Sequence, residues 1–244
     1  MDGKIQEERV TSFVCFDVET TGLSPEKDKI IEIGALKVKA GKIIDKFTEF
    51  INPKMKLPEH ISKLTGITDE MILYSETEET VIGRFLDFSE DYIIMGHNIG
   101  FDYSFLKTAA VKQHRTFDKK GIDTLELCRK LLPEMESKSL GSMCRHYRII
   151  NENAHRAYDD AKATALLYVK LCNEFYPKRP EVFLPKPLWF KVKKDRSITN
   201  KQKNYLIDLL KYHKIESEQS IDSLTQSEAS RMIDKIILEK GRII

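Results

Sequence analysis

Apolar positions up to Phe175 fall into short alternating runs and longer helical stripes, separated by turn residues. Ser12 to Val18 is apolar and β-prone and ends at Thr-Thr-Gly, the pattern of a strand entering a turn. Two further strand runs follow, Ile30–Lys39 and Lys42–Ile51, with Ala40-Gly41 between them marking a hairpin. After Pro58 the spacing predicts short helical segments, then a longer helix around Thr80–Phe88. Asp91–Gly96 reads as a buried strand, and helices are predicted at Ile99–Lys112, Thr124–Leu132, Ser139–Tyr147 and Arg156–Phe175. Three leading strands followed by alternating helices and strands predict an α/β domain, a mixed sheet flanked by helices.

The pattern changes near Pro177. Residues 177–196 hold four prolines (Pro177, Pro180, Pro185 and Pro187), the only tryptophan and an excess of basic side chains, which reads as an extended linker or a wrapping arm. Beyond it, Thr199–His213 and Thr225–Lys240 are predicted helices. The second opens with a capping-box pattern, Thr225-x-x-Glu228, and carries Ala229, Met232, Ile233, Ile236 and Ile237 on one face. The expected organisation is a main domain over 1–176, a basic, proline-rich linker over 177–196 and a small C-terminal helical module over 197–244.

Composition adds little to this. A chain of 244 residues can bury one full core with a small appendage. The net charge of +2 leaves the partner open, because an acidic site can offset a basic binding surface elsewhere. No stretch has the uninterrupted apolar length of a membrane helix, and residues 1–9 do not read as a secretory leader. Cys15, Cys128, Cys144 and Cys172 form no CxxC pair, so reduced, buried thiols in a cytoplasmic protein are expected.

Candidate chemistry lies in three acidic segments. In Phe16-Asp17-Val18-Glu19-Thr20-Thr21-Gly22 the two acids sit two apart on a strand and share a face. Carboxylates so placed repel unless a cation joins them, and hard oxygen donors suit Mg²⁺ or Mn²⁺; a solvated strand end is the equally open alternative. His97-Asn98-Ile99-Gly100-Phe101-Asp102 sits where a buried strand meets a helix, with Asn98 as N-cap and Asp102 in the first turn, where an acid also complements the helix dipole. In His155-Arg156-Ala157-Tyr158-Asp159-Asp160-Ala161 the inward stripe of Ala157, Ala161, Thr164, Ala165, Tyr168 and Leu171 borders Asp160 and turns Asp159 to solvent.

The order Asp-x-Glu, His-Asn-x-x-Phe-Asp, His-x-x-x-x-Asp resembles the three exonuclease motifs of the DnaQ-like, DEDDh family of 3′→5′ exonucleases, whose fold is ribonuclease-H-like. Phe16–Leu23, Ile30–Ala35, Pro58–Thr68 and Ile122–Arg129 are similar to the proofreading domain of Gram-positive replicative polymerases and to the polymerase III epsilon subunit, with coverage from about Val10 to Phe175. The resemblance implies that Asp17, Glu19, Asp102 and Asp160 hold two divalent cations, Mg²⁺ or Mn²⁺, around the scissile phosphate. It implies His155 as general base, histidine being the side chain that titrates near neutral pH. Tyr158 lies two residues before Asp160, which does not fit the family branch that uses Tyr-x-x-x-Asp.

By the same resemblance Thr20, Thr21, Gly22 and Leu23 touch the 3′-terminal nucleotide, His97, Asn98 and Phe101 line its pocket, and Ile61 fills either that pocket or the core. Where many relatives have His-Gly-Ile, this chain has Thr65-Gly66-Ile67. Asp123-Thr124 reads as a helix cap, and His60, His114, His146 and His213 lack ligand spacing. The implied substrate is a single-stranded or frayed DNA 3′ end. An RNA-trimming enzyme and a noncatalytic nucleic-acid-binding subunit are the alternatives, with a polymerase or another replication or repair protein as a further partner. Oligomeric state stays open. Ile198-Thr-x-Lys-Gln and Leu224-Thr-x-x-Glu-Ala-Ser are similar to a small helical domain appended to various nucleic-acid enzymes.

Overall fold

The structure is a computed structural model that describes residues 9–192, 196–217 and 220–243. It forms two compact units, Met1–Val192 and Lys193–Ile244. The first contains strands β1 (Phe13–Thr20), β2 (Ile30–Lys39) and β3 (Lys42–Phe50), then helices α1 (Glu59–Thr65), α2 (Asp69–Ile72) and α3 (Glu78–Ser89). Strand β4 (Ile93–Gly96), helix α4 (Ile99–Lys112), strand β5 (Lys120–Asp123), helices α5 (Thr124–Leu131), α6 (Leu140–Tyr147) and α7 (Ala157–Phe175), and the two-residue strand β6 (Lys186–Pro187) complete it.

The sheet order is β3-β2-β1-β4-β5-β6, with β1 antiparallel to β2 and parallel to β4, so the sheet is mixed as predicted. Ala40 and Gly41 join β2 to β3 with φ of 47° and 77°, the left-handed pair that matches the twist of a tight hairpin. Alternation along β1 divides the core. Val14, Phe16 and Val18 face a layer containing Val81, Phe85, Tyr103 and Leu106 from α3 and α4. Phe13 and Cys15 face the layer of Leu127, Met143, Leu167 and Tyr168 from α5, α6 and α7. The period of two therefore turns Asp17 and Glu19 toward the α7 side.

On β2 the same side carries Glu32, Gly34, Leu36 and Val38, and Gly34 lies directly across from Asp17. A Cβ on Gly34 would come within 1.9 Å of the Tyr158 nitrogen, so the bare backbone lets the first turn of α7 rest on the sheet.

Of the stretch read as an extended linker or a wrapping arm, residues 180–183 and 186–188 dock on the first unit. Pro180–Phe183 forms a 3₁₀ turn that buries Val182 and Phe183, with Phe183 edge-on to Tyr168 and Tyr176. Lys186–Pro187 pairs with Lys120–Gly121, and Leu188 packs over Gly121. Proline suits this position because an edge strand can lack one amide donor. The division between units falls between Val192 and Lys193; Lys193 to Asp195 of the basic stretch lie outside the described residues.

The second unit pairs α8 (Asn200–His213) with α9 (Gln226–Lys240) around Leu206, Leu209, Leu210, Leu224 and Ile236. Both helices open with full capping boxes, Thr199 with Gln202 and Thr225 with Glu228. An antiparallel bridge between Ser197 and Thr225 ties the two helix starts together.

Gly34→Ala is expected to cost about 1–3 kcal/mol through overpacking against α7, lowering Tm by roughly 3–10 °C. Gly100→Ala, on α4 where an added methyl meets nothing within 4 Å, should leave Tm unchanged or slightly raised. Thermal unfolding of the two variants checks this, and equal Tm values would contradict the close approach.

Candidate active site

Three element ends bring four acids to one point. Asp17 and Glu19 come from the end of β1, Asp102 from the first turn of α4 and Asp160 from the first turn of α7. Asp102 is buried and its Oδ1 accepts the Val18 amide at 3.0 Å, which stitches the start of α4 to β1. Asp160 is also buried and is held on both oxygens: Asn151 Nδ2 donates to Oδ1 at 2.6 Å and the His155 amide to Oδ2 at 2.9 Å. Asp159 points elsewhere, accepting from Asn153 Nδ2 at 3.1 Å. With Val18, His97, Asn98, Phe101, Leu140 and His155, the four acids line an open pocket of about 220 Å³.

Ligand atoms of Glu19, His155 and Asp160 lie within 4.8 Å of one another, close enough to share one cation. The electrostatics point the same way. Burial, then the charges of Asp102, Glu19 and Asp160, holds the Asp17 carboxyl well above the usual carboxylate range. Burial and the charges of Asp160, Glu32 and Asp102 push Glu19 up to about 8, with Arg156 opposing. Burial raises Asp102 to about 7 against the Val18 hydrogen bond, and burial raises Asp160. Arg156, which opposes the rise at Glu19, is itself bound to Glu32. This donor set of hard oxygens with one imidazole fits a divalent cation, which would let all four acids ionise together.

His155 is exposed and adopts φ 67°, a left-handed conformation that favours glycine or asparagine. His97 is fully engaged: its Nε2 donates to the Lys138 carbonyl at 2.9 Å and its Nδ1 lies 2.9 Å from Thr124 Oγ1. Burial lowers its pKa, so the neutral ring pins the segment before α6 to the end of β4. Asn98 occupies the N-cap position of α4 with φ 70°, yet its side chain makes no cap. Its amide instead donates to Asp123 Oδ1, which also accepts from Leu125 and Glu126 and so caps α5 as expected. Phe101 lines the pocket and stacks at a tilt on Phe105.

Thr20 ends β1, and Thr21, Gly22 and Leu23 form the turn that follows; none of the four is among the residues lining the 220 Å³ pocket. Thr20 Oγ1 donates to the Gly22 carbonyl and Thr21 Oγ1 accepts the Lys29 amide, while Leu23 stands 85% exposed. Asp28 closes this turn by accepting the Ser24 amide at 2.8 Å, and a Cβ on Gly22 would lie 2.6 Å from its carboxyl. Ile61 belongs to the core: it is buried in a satellite cluster with Ile31, Leu57, Ile67 and Ile72 and does not reach the pocket. Asp28, Glu32, Asn151 and Leu140 are the contributors that sequence reasoning missed. Glu32 acts through hydrogen bonds to residues 124 and 125 positions away, whereas Asp28 and Asn151 act inside irregular loops where no periodic pattern marks them.

The fold and this constellation are those of an exonuclease. The family model described as Exonuclease (RNase_T) matches residues 14–168, and the chain belongs to that family. Among curated proteins, the PolC-type DNA polymerase III of Caldanaerobacter subterraneus subsp. tengcongensis is 42% identical over 159 residues, 65% of this chain and 11% of that protein. The PolC-type DNA polymerase III of Listeria welshimeri is 43% identical over 164 residues, covering 67% and 11%. The chain thus spans about a tenth of the length of these relatives. Its fold is that of E. coli exonuclease I solved with a dT13 oligonucleotide (20% identity, 70% of this chain and 43% of that chain, TM-score 0.62). It is also that of the nuclease domain of 3′hExo, a DEDDh family member bound to rAMP (20%, 68% and 93%, TM-score 0.58).

Glu19 supplies a pH test. A carboxyl whose folded pKa is raised to about 8 favours its protonated form in the native state. That stability is complete below the unfolded pKa and is lost as pH rises through the folded one. In chelator, Glu19→Gln should match the parent chain's Tm near pH 4.5 and exceed it by roughly 3–8 °C near pH 9. A saturating divalent cation should shrink the gap at the higher pH. A gap independent of pH would remove Glu19 from the charge cluster.

Proposed function

We propose that the chain removes nucleoside 5′-monophosphates one at a time from DNA 3′ ends, as a proofreading or repair-type exonuclease. The observation that carries this reading is the convergence of Glu19, Asp160 and His155 within 4.8 Å at a pocket also lined by Asp17 and Asp102. The four carboxylates would hold two divalent cations, Mg²⁺ or Mn²⁺, which when bound supply Lewis acidity to a water nucleophile and to the departing 3′ oxygen. The His155 imidazole takes the proton of the attacking water. The new P–O bond forms as the P–O3′ bond breaks, releasing a nucleoside 5′-monophosphate and leaving a 3′ hydroxyl on the shortened strand. Leu23 and Phe101 offer apolar surfaces to the terminal base, a contact indifferent to sequence.

The PolC-type relatives support DNA as substrate and a polymerase as working partner. The rAMP bound to the 3′hExo nuclease domain makes RNA the specific alternative. Digestion of 5′-labelled single-stranded DNA, duplex DNA with a mismatched 3′ end, fully paired duplex and RNA, side by side, decides between them. DNA should shorten progressively, faster at frayed than at paired ends, because unpairing precedes cleavage. Chelator and Asp17→Ala should abolish turnover with circular dichroism unchanged, and His155→Ala should lose about a hundred-fold or more. Immediate release of the 5′ label, or full activity of Asp17→Ala, would refute the reading.

We further propose that the basic stretch after the nuclease unit and the helical module tether longer DNA, through Lys193, Lys194 and Arg196 among others. A chain ending at Val192 should keep metal-dependent cleavage of short oligonucleotides. It should bind longer DNA more weakly, with a shallower salt dependence, because fewer phosphates are neutralised. Equal affinity and salt slope would assign the tail to protein partners or self-association instead.

A further inference from the structure

We propose that Glu32 is a positioning residue for cleavage: from β2 it fixes the Arg156–Ala157 junction and thereby aims the His155 imidazole at the pocket. The proposal rests on His155 acting as the base in the reading above. Glu32 is 1% exposed, and a carboxylate so deeply buried needs nearly every lone pair engaged. It accepts Arg156 Nη2 at 2.9 Å, Arg156 Nε at 3.3 Å and the Ala157 amide at 3.2 Å. These donors belong to the two residues that immediately follow His155. Ala157 is the first residue of α7, and Arg156 at its N-cap makes no side-chain cap, so the cap comes from another strand. The Arg156 guanidinium also lies 5.2 Å from the centre of the Phe50 ring, which leaves the fork little freedom.

His155 lies between this lock and Asp160. Its own amide is tied to Asp160 Oδ2, whereas its ring makes no hydrogen bond among the described residues. The ring direction is therefore set by a backbone held at φ 67° from both sides. Across the β1–β2 register Glu32 pairs with Glu19, so one rung of the sheet presents one carboxylate to the pocket and the other to the junction. A buried ion pair is a poor source of net stability compared with apolar packing, which leaves geometry as the property this one secures.

The test is a double-mutant cycle with Glu32→Gln and His155→Ala. Displacing a catalytic group by an ångström or less costs about tenfold or more, so Glu32→Gln should lower kcat by at least that factor with KM within about twofold. In the His155→Ala background it should cause no further loss, because the group it positions is gone. Equal fold-losses in both backgrounds, or an unchanged kcat, would overturn the proposal. Arg156→Lys, which keeps the charge but loses the planar fork, should show the same non-additivity with a smaller loss, and serves if Glu32→Gln fails to fold. A second readout needs no turnover: amide exchange at residues 155–157 of the metal-free chain should accelerate about tenfold in Glu32→Gln. Unchanged protection there would overturn the positioning role. If the parent chain cleaves no nucleic acid, the functional reading falls, and exchange alone decides whether Glu32 holds the junction.

Discussion

Like charges brought together out of water repel, and that repulsion organises this molecule. Asp17, Glu19, Asp102 and Asp160 line a single pocket, each with its ionisation made harder by burial and most of them by one another. The scaffold meets the problem with partial positive charge. Asp102 and Asp160 sit in first helical turns, where unpaired amides favour an anion, and each accepts a further backbone amide, from Val18 and His155 respectively. The residual repulsion is a standing preference for a cation, and it makes the metal-free fold less stable at higher pH.

Holding the acids this close requires elements that approach closely. Gly34 supplies the approach of α7 to β2, and the Glu32–Arg156 pair secures the same helix start one rung further along. Both lie on the face of the sheet that carries Asp17 and Glu19, so packing and chemistry share one strand register. At the opposite side of the sheet, Leu188 over Gly121 and the short β6 close the β5 edge, which keeps the Asp123 end of β5 in place beneath Asn98 and the start of α4.

Much of this was legible in the sequence. Helices such as Ile99–Lys112 and strands such as Ile30–Lys39 carry enough periods to declare themselves, and β4 shows as an apolar run, whereas β5 holds one large apolar side chain, Ile122, and β6 only two residues. The helical stripe that separated Asp160 from Asp159 rests on the same periodicity, and the two side chains do point apart. Glu32, read locally, is only a polar residue within an apolar strand, because its three donors come from residues more than a hundred positions away. Ile61 was open between pocket and core, because a short helix does not show where its inward side chain leads; it packs in the core with Ile31 and Ile67, while Leu64 stands exposed. The prolines of 177–196 left open an extended linker or a wrapping arm, and they suit the 3₁₀ turn and the edge strand that dock there.

The left-handed backbone of His155 also shapes how this site can change over generations. At φ 67° an asparagine or a glycine is accommodated with less strain than the histidine. Replacing the imidazole by either therefore relaxes the chain, so that under the proposed role of His155 the step that removes the base also favours folding. The four carboxylates have a comparable bias, because neutralising one relieves repulsion. The site proposed for cleavage is thus held against the slope of stability at several positions at once.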